Sequence, residues 1–323
     1  MMRARFFDAG DAIRWDSFCH GAHGATFLHS RAFLSYHGNR FVDRSVVVER
    51  HDEWLGVIPA AEHPGDPSTV VSHPGATYGG MVHHGRLRGG RMLQALNSAL
   101  ALWASAGYER LQYKAVPYIY QLSPAQEDLY ALFRAGAARY RSDLSSCIDL
   151  QYRLPVSERR KRGRKKALRA CVQLTQGTDH LAALWPVLAD NLERNHDAAP
   201  VHTLGEMSLL AARFPEHIEV MTAQVDGSVE AGIVLFLGQT VAHAQYIASS
   251  EAGYAVNALD LLFDGAIEHS VRSGKRYFDF GISTEEHGRI LNEGLAQFKN
   301  EFGAGGIVYE HYEMNLKEGG NAA

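Results

Sequence analysis

The chain has 323 residues, of which 46% are hydrophobic and 21% are charged. This composition excludes an intrinsically disordered protein, and the length favours about two domains. The net charge of −4 at pH 7 excludes a strongly basic or acidic chain. No stretch approaches the ~18 apolar residues of a membrane span, and residues 1–8 reach an aspartate before a signal-peptide core can develop, so we expect a cytoplasmic protein.

The positions of cysteine and histidine argue against a metal site or a disulfide framework. The three cysteines, Cys19, Cys147 and Cys171, are far apart and form no C-x-x-C pair. The chain has 17 histidines but no H-E-x-x-H motif. We therefore predict that the protein uses no metal. P-loop, Rossmann and nucleophile-elbow motifs are also absent from the sequence, which argues against kinase, dinucleotide-dependent and hydrolase functions.

The first half of the chain predicts a hairpin, a third strand, a helix and a further strand. Residues 44–60 alternate around a polar turn, which is typical of a β-hairpin. A strand is predicted at 69–72. A helix from about 92 to 105 stops at Gly107, and the strand at 108–113 follows.

The second half of the chain repeats this order. Residues 218–237 predict another hairpin, and 240–243 predict a third strand. A 3.6-residue apolar period over 257–271 predicts a helix, which stops at Gly274 before a strand at 275–280.

The spacing of the two series indicates an internal repeat. Gly56 and Gly232 of the two hairpins lie 176 residues apart, the third strands lie 171 apart, and Gly107 and Gly274 lie 167 apart. Three matches in the same order predict two copies of one fold. We predict an α+β protein with two tandem domains, residues 1–150 and 151–323, each a mixed, mostly antiparallel sheet flanked by helices.

Three motifs resemble those of a known family. Asp279-Phe280-Gly281 and the F-K-x-x-F-G sequence at residues 298–303 are similar to signatures of the FemAB-like branch of the GNAT acyltransferase superfamily. The P-x-x-x-Y-G-G sequence at residues 74–80 resembles a motif from the first half of that branch. The resemblance implies two tandem GNAT-like domains, of which the C-terminal one carries the D-F-G and F-K-x-x-F-G motifs.

The resemblance also implies an N-acyltransferase. Members of the branch move an acyl group onto an amine, so we expect an amide to form on an amino group of a sugar, a nucleotide-sugar or a cell-envelope precursor, with acyl-CoA as the donor. One alternative is an aminoacyl-tRNA-dependent ligase that adds an amino acid to an envelope precursor. Another is a catalytically inactive GNAT-like binding module in polysaccharide assembly.

The sequence at the position of the loop that holds the CoA pyrophosphate in GNAT proteins does not decide which acyl donor is used. In the second copy, residues 248–257 contain one glycine, Gly253, and the acid Glu251, which do not match the Q/R-x-x-G-x-G/A pattern. In the first copy, residues 73–90 contain six glycines, and arginines there and just beyond add candidate phosphate contacts.

A basic segment lies at the predicted domain boundary. Residues 153–169 hold nine lysines or arginines against one acid, Glu158. Such a segment favours binding of an aminoacyl-tRNA, a CoA phosphate or a nucleotide-sugar pyrophosphate, whereas the structural alternative is a solvated helix face. The residues predicted to bind phosphate are Arg160, Lys161, Arg162 and Arg164.

Acyl transfer to an amine needs a base for the proton of the nucleophile and a donor that stabilises the oxyanion. His243 is the candidate base, because an imidazole titrates near neutral pH. Asp279 is predicted to line the groove and orient an amine or pair with a cation, or else to cap the following turn. Lys299 lies at the edge of an apolar helical stripe, where a lysine can extend its charge into solvent. The FemAB-like resemblance implies instead that Lys299 lies near the reacting carbonyl.

Strand alternation predicts which side chains share a face. His243 and Gln245 fall on one face of their strand and Tyr246 on the other, while Phe278 and Phe280 point into the core. The residues predicted to contact the substrate are Tyr78, His196, His202, Gln245, Tyr246 and Ser283.

Overall fold

The computed structural model describes residues 2–196 and 198–317. Within these residues the chain forms ten α-helices and fifteen β-strands. The helices are α1 (Ala12–Cys19), α2 (Arg31–Leu34), α3 (Gly90–Ser105), α4 (Glu127–Arg134), α5 (Glu158–Arg169), α6 (Leu181–His196), α7 (Leu204–Arg213), α8 (Glu251–Val256), α9 (Ala258–Arg272) and α10 (Glu293–Asn300). The strands are β1 (Arg3–Phe6), β2 (Val46–Arg50), β3 (Glu53–Ile58), β4 (Ala61–His63), β5 (Asp66–Val71), β6 (Arg110–Lys114), β7 (Ala138–Asp149), β8 (Gln173–Gln176), β9 (Ile218–Val225), β10 (Ser228–Leu237), β11 (Val241–Ser249), β12 (Tyr277–Ile282), β13 (Thr284–Glu285), β14 (Ile290–Leu291) and β15 (Gly305–Asn315). None of these helices has the length and apolar character needed to cross a membrane.

The chain divides into two compact units. The first unit contains the chain up to Asp143, the segment Glu286–Arg289 and the chain from Val308 onward. The second unit contains Leu144–Glu285 and Ile290–Ile307. Each unit combines mostly antiparallel strands with helices, so the predicted α+β class is confirmed.

In the first unit, β1, β2 and β3 form an antiparallel sheet, and a second group of strands has the order β4-β5-β6-β15. Within that group only β5 and β6 are parallel. The apolar face of α3 supplies much of the core, where Leu96 and Trp103 pack in one cluster with Leu111 and Tyr113 of β6.

In the second unit, the strand order is β7-β12-β11-β10-β9-β8. All neighbours are antiparallel except β11 and β12, which are parallel and are connected through α8 and α9. The core lies under α9 and contains an aromatic cluster in which Phe263 contacts Phe278, Phe280 and Phe302. The prediction that Phe278 and Phe280 enter the core is confirmed.

The two units repeat part of the predicted order. The hairpin β2–β3 corresponds to β9–β10, α3 to α9, and β6 to β12. Gly107 and Gly274 follow α3 and α9 with φ of 94° and 69°, the left-handed geometry that glycine adopts readily after a helix. The third strands differ, because β11 pairs with the hairpin strand β10, whereas β5 belongs to a different sheet from its hairpin.

Candidate active site

The site lies where the two parallel strands of the second unit part. β11 and β12 pair at Val241↔Tyr277, Ala242↔Phe278 and His243↔Asp279. Beyond that last pair, β11 continues to Ser249 and β12 to Ile282 without pairing with each other. His243 and Asp279 therefore lie side by side at the beginning of the gap.

His243 and Asp279 form a hydrogen-bonded pair. The Nδ1 atom of His243 lies 2.7 Å from Oδ2 of Asp279. Asp279 is 0% exposed, and its other oxygen, Oδ1, accepts hydrogen bonds from the Ser145 hydroxyl at 2.5 Å and from the Gly281 N–H at 3.3 Å. The prediction that Asp279 lines the groove is therefore wrong. It lies behind His243, where a carboxylate can accept the Nδ1 proton and hold the imidazole in one orientation.

The outer nitrogen of His243 is available to a ligand. The His243 side chain is 13% exposed, and no group within residues 2–196 and 198–317 hydrogen-bonds to its Nε2. When Nδ1 carries the proton that is donated to Asp279, Nε2 has a free lone pair. This arrangement allows Nε2 to accept a proton from a bound nucleophile.

A bulge in β12 fixes the backbone beside this pair. The register of β12 against β7 shifts between Asp279 and Ile282, and Gly281 adopts φ of 78°. Glycine tolerates this left-handed conformation, which also lets its N–H reach Oδ1 of Asp279. A Cβ atom at position 281 would lie 3.5 Å from Cε1 of His243, so the bulge is in contact distance of the imidazole.

Lys299 of α10 holds the carbonyls of this bulge. Its Nζ donates to the carbonyl oxygens of Gly281 at 2.9 Å and Ile282 at 2.6 Å. The residue is 3% exposed, so the expectation that its charge extends into solvent is wrong. Burial lowers the pKa of Lys299 to about 8, although the Asp279 charge acts in the opposite direction.

A second bulge, in β11, places Tyr246 on the same face as His243. Val234 pairs with Tyr246 and Phe236 pairs with His243, so Gln245 is the extra residue between two paired positions. Directly paired residues share a face of the sheet, and Val234 and Phe236 share a face because they are two residues apart on β10. Their partners Tyr246 and His243 therefore lie on the same face as each other. The prediction that Tyr246 lies opposite His243 is therefore wrong.

Tyr246 is held by His202. The His202 N–H donates to the Tyr246 hydroxyl at 3.2 Å, and Nδ1 of His202 lies 2.6 Å from the same oxygen. Trp185 of α6 packs edge-on against the Tyr246 ring. Both partners of the pair are buried, and burial raises the pKa of the Tyr246 hydroxyl. His196 is the last residue of α6, and its side chain lies outside the part of the chain that the structure describes.

The remaining predicted substrate contacts are buried. Tyr78 belongs to the first unit, where it is buried and its hydroxyl donates to Oγ1 of Thr26 at 3.2 Å, and its contact with substrate stays a prediction. Ser283 follows the β12 bulge and is also buried, and its N–H donates to the Leu144 carbonyl. Its hydroxyl has no hydrogen-bond partner among the described residues.

The basic segment forms α5, and its predicted phosphate ligands separate into two groups. Arg160 is 5% exposed and makes ion pairs with Asp260 at 3.0 Å and Glu301 at 2.8 Å, so the prediction that it binds phosphate is wrong. Lys161 pairs with Glu158 and Arg164 pairs with Asp264. Arg162 is exposed and forms no ion pair within the described chain.

The second unit does not fit a CoA pyrophosphate at the usual helix end. Residue 253 is inside α8, a helix of six residues that Ser250 caps by accepting from the Gly253 N–H at 2.9 Å. The Ser250 hydroxyl donates to the Glu230 carboxylate, and Glu251 adds a second acid in the first turn. A phosphate would meet two carboxylates here, and a Cβ at Gly253 would lie 2.4 Å from the Glu230 carbonyl oxygen, which leaves little room.

The first unit offers a better fit to phosphate. A cavity of about 420 Å³ near the start of α3 is lined by Arg50, Arg86 and Arg91 together with Glu53 and uncharged neighbours. Arg86 is paired with Glu53, and Gly89, which precedes α3, provides no side-chain cap for the first N–H groups of that helix. Among residues 2–196 and 198–317, no three His, Cys, Asp or Glu side chains come close enough to hold a metal ion.

Sequence reasoning missed Ser145. A single serine in β7 carries no local signal. Its contact with Asp279 depends on the pairing of β7 with β12, and the two residues are 134 positions apart in the sequence. The burial of Arg160 could have been inferred from the sequence. Arg160 lies on the same helical stripe as the two small residues Gly163 and Ala167, and such a stripe can pack closely against another helix.

The comparisons with known proteins agree on the fold. The acetyltransferase (GNAT) domain model matches residues 156–289. The solved structure of FemX has 11% identity and a TM-score of 0.67, and the similarity covers 96% of this chain and 96% of that one. None of the curated proteins matches this chain significantly.

Two further solved structures are similar. The C-terminal domain of a putative lysylphosphatidylglycerol synthetase from Agrobacterium fabrum has 13% identity and a TM-score of 0.57, with 83% of this chain and 84% of that one covered. A tandem GNAT protein from the clavulanic acid biosynthesis pathway has 12% identity and a TM-score of 0.51, with 98% of each chain covered. At these identities the likeness concerns the fold.

Proposed function

Because the chain has the tandem GNAT fold of FemAB-like proteins and carries a GNAT acetyltransferase domain over residues 156–289, we propose that it is an N-acyltransferase. It transfers an acyl group from an activated donor to a primary amine and forms an amide. The acceptor is an amino group of a sugar, a nucleotide-sugar or a cell-envelope precursor. The observation that carries this proposal is the hydrogen bond between His243 and Asp279 at the beginning of the gap between β11 and β12.

The pair accounts for the proton transfer that the reaction needs. The amine nitrogen attacks the acyl carbonyl carbon, and Nε2 of His243 takes the proton that the nitrogen must lose. The bond from that carbon to the sulfur or oxygen of the donor then breaks, and the leaving thiolate or alkoxide takes the proton back from the imidazolium of His243. Asp279 stabilises the imidazolium through Nδ1–H, while Ser145 and the Gly281 N–H hold the carboxylate in place.

Lys299 is assigned to positioning. Two of the three N–H bonds of its ammonium group are directed at the carbonyls of Gly281 and Ile282. These bonds hold the bulge beside the imidazole. The Tyr246–His202 pair lies on the His243 face of β11 and supplies the polar part of an acceptor subsite.

Acyl-CoA is the first candidate donor. The cavity in the first unit, with Arg50, Arg86 and Arg91, supports it because clustered guanidinium groups bind phosphate well. The second candidate is an aminoacyl ester carried by RNA. The two carboxylates at the start of α8 favour this second donor, because they disfavour a diphosphate in the unit that contains His243. The intact His243–Asp279 pair weighs against a catalytically inactive binding module.

The test uses the full chain with two donors, acetyl-CoA and an aminoacylated bulk tRNA, and a panel of amines that includes glucosamine and an amino-containing nucleotide-sugar. Mass spectrometry of the products identifies the amide. We expect His243→Gln to lower kcat by at least about 100-fold with little change in KM, the scale of a lost general base.

His269→Gln is the matched control, because His269 also pairs with a carboxylate in the same unit, that of Glu219 at 2.7 Å. This control is expected to keep wild-type turnover. Equal turnover of His243→Gln and the wild type would overturn the assignment of His243, and the absence of any amide from either donor would count against the acyltransferase.

A further inference from the structure

One face of α5 packs against α9. Arg160, Gly163 and Ala167 are buried on that face. The Arg160 guanidinium bridges Asp260 and Glu301 and lies 4.8 Å from the centre of the Phe298 ring. A Cβ atom at Gly163 would lie 2.6 Å from Cγ of Asp260, so the glycine allows the two helices to approach closely. These contacts set the orientation of the other face of α5 within the second unit.

The opposite face of α5 carries four basic residues. Arg162, Lys165, Lys166 and Arg169, here called the basic face, are all exposed. Their spacing of i, i+3, i+4 and i+7 places them within about 100° of the helix circumference and along about 10 Å of its length. None of the four makes an ion pair within residues 2–196 and 198–317.

This arrangement works against helix stability. The basic face contains four like-charged pairs at i,i+3 or i,i+4, and each costs a few tenths of a kcal/mol. The acids nearby are already engaged, because Glu158 pairs with Lys161 and Asp264 pairs with Arg164. Among the described residues the four cations have no ion-pair partner, although the Glu158 charge acts on Arg162 and Lys165 from a distance, and together they present a concentrated positive charge to solvent.

We propose that the basic face of α5 is a docking surface for the phosphate backbone of RNA. Four cations over about 10 Å match several phosphates in succession, since the phosphates of a duplex strand advance about 3.4 Å each along the axis. The absence of aromatic residues on this face of α5 fits backbone contact without base stacking. This inference rests on the second donor candidate of the proposed function, an aminoacyl ester carried by RNA.

A membrane is a poorer match to the same surface. A helix that lies in a bilayer interface needs an apolar face directed at the lipid. In α5 the small apolar residues are buried, and Leu168 is the one large apolar side chain exposed on the helix. The charges alone face outward, which suits a partner that stays in water.

The experiment measures RNA binding directly, with no acyl group involved. The probe is a fluorescently labelled, deacylated bulk tRNA, and its dissociation constant for the full chain is followed over a range of salt concentrations. The variant Arg162→Gln/Lys166→Gln should bind about tenfold more weakly, and its slope of log Kd against log salt should fall by about 2, one for each phosphate contact removed.

The control variant is Arg134→Gln/Arg272→Gln, which changes the net charge equally at exposed positions on α4 and α9. It should keep wild-type affinity. Equal weakening by the control, or no binding by the wild type at low salt, would overturn the proposal. So would binding to vesicles of phosphatidylglycerol and phosphatidylcholine with no binding to RNA.

Failure of this inference and failure of the proposed function are distinguishable. If the double variant loses RNA affinity while no donor gives an amide, the surface stands and the acyltransferase fails. If amide forms and RNA does not bind, the acyltransferase stands and the basic face is a solvated surface.

Discussion

Lys299 combines a buried charge with two hydrogen bonds to backbone carbonyls. Replacing it by methionine keeps most of the apolar stem but leaves both carbonyls without their donor. We expect Lys299→Met to lower the free energy of unfolding by about 1–3 kcal/mol, the cost of leaving buried polar groups unpaired. Urea unfolding measures the change.

The matched control is Lys275→Met, because Lys275 is only partly buried and donates to one carbonyl, that of Gly238. It should cost less than about 1 kcal/mol. If Lys299→Met costs no more than this control, the two hydrogen bonds do not support the bulge.

The lowered pKa of Lys299 also predicts how its contribution changes with pH. The pKa is about 8 in the folded protein, against 10.5 for an ordinary lysine. Between these values the unfolded chain binds more protons, so this residue makes the wild type more stable as pH rises. Relative to Lys299→Met, the wild type should therefore gain up to about 1.4 kcal/mol per pH unit above pH 8. A difference between the two proteins that stays constant from about pH 7 to about pH 10 would contradict the lowered pKa.

The chemical role of a single residue was predictable where the type of its side chain determines that role. His243 and Asp279 were each identified from residue type and strand position, but their hydrogen bond depends on the parallel register of β11 and β12, which no local pattern encodes. The expectation that Lys299 extends its charge into solvent failed because helical periodicity cannot show that backbone carbonyls lie beneath a polar residue. Arg160 failed for a similar reason, since its partners Asp260 and Glu301 are distant in sequence.

At the level of the secondary-structure elements, the close contact of α5 and α9 depends on Gly163. Alanine is favoured over glycine inside a helix by about 1 kcal/mol, but a methyl group here would lie 2.6 Å from Cγ of Asp260. We expect the collision to outweigh the helix preference, so Gly163→Ala should destabilise the protein by about 1–3 kcal/mol. Thermal unfolding measures the change.

Gly205→Ala in α7 is the control, because the nearest atom to its added methyl group is 3.9 Å away. This variant should be neutral or slightly stabilising. If Gly163→Ala is also neutral, α5 is able to move away from α9 at little cost, and the fixed orientation of the basic face fails with it.

Elements with a regular period were predicted better than those with an interruption. Alternation placed Phe278 and Phe280 in the core correctly, because the two residues keep the same phase and the left-handed turn of the bulge comes only at Gly281. The same rule failed for Tyr246, because the extra residue in β11 changes the phase of every side chain after it. No glycine, proline or other turn-forming residue marks the bulge at Gln245 in the sequence.

For the whole molecule, the division into units predicts the effect of shortening the chain. Residues 311–315 of β15 pair with β6, and Met314 and Leu316 belong to the core of the first unit. A chain that ends at Ile307 should therefore lose the cooperative unfolding of the first unit, since each lost core side chain costs about 2–5 kcal/mol. Circular dichroism and calorimetry follow the transitions.

A milder variant tests the same point in the full chain. Met314→Ala should lower the stability of the first unit by about 2–5 kcal/mol and leave the second unit unchanged. A shortened chain that unfolds like the full one would show that β15 contributes little to the first core.

The tandem organisation was the most predictable feature at this scale. The resemblance to FemAB-like tandem GNAT proteins is confirmed by the fold, and the hairpin, helix and following strand recur in both units. The place of the third strand in the first unit was not predictable, because β5 and β11 have similar alternation but join different neighbours. Which strands pair is decided by contacts distant in sequence.

The discontinuous first unit also has a consequence for synthesis of the protein on the ribosome. All residues of the second unit, which ends at Ile307, leave the exit tunnel before Val308 and the rest of β15. The first unit, although most of it is translated earliest, is therefore completed last, and β6 waits for its partner strand throughout translation of the second unit. We therefore expect the two units to be completed in the reverse of the common order, in which the N-terminal domain folds first.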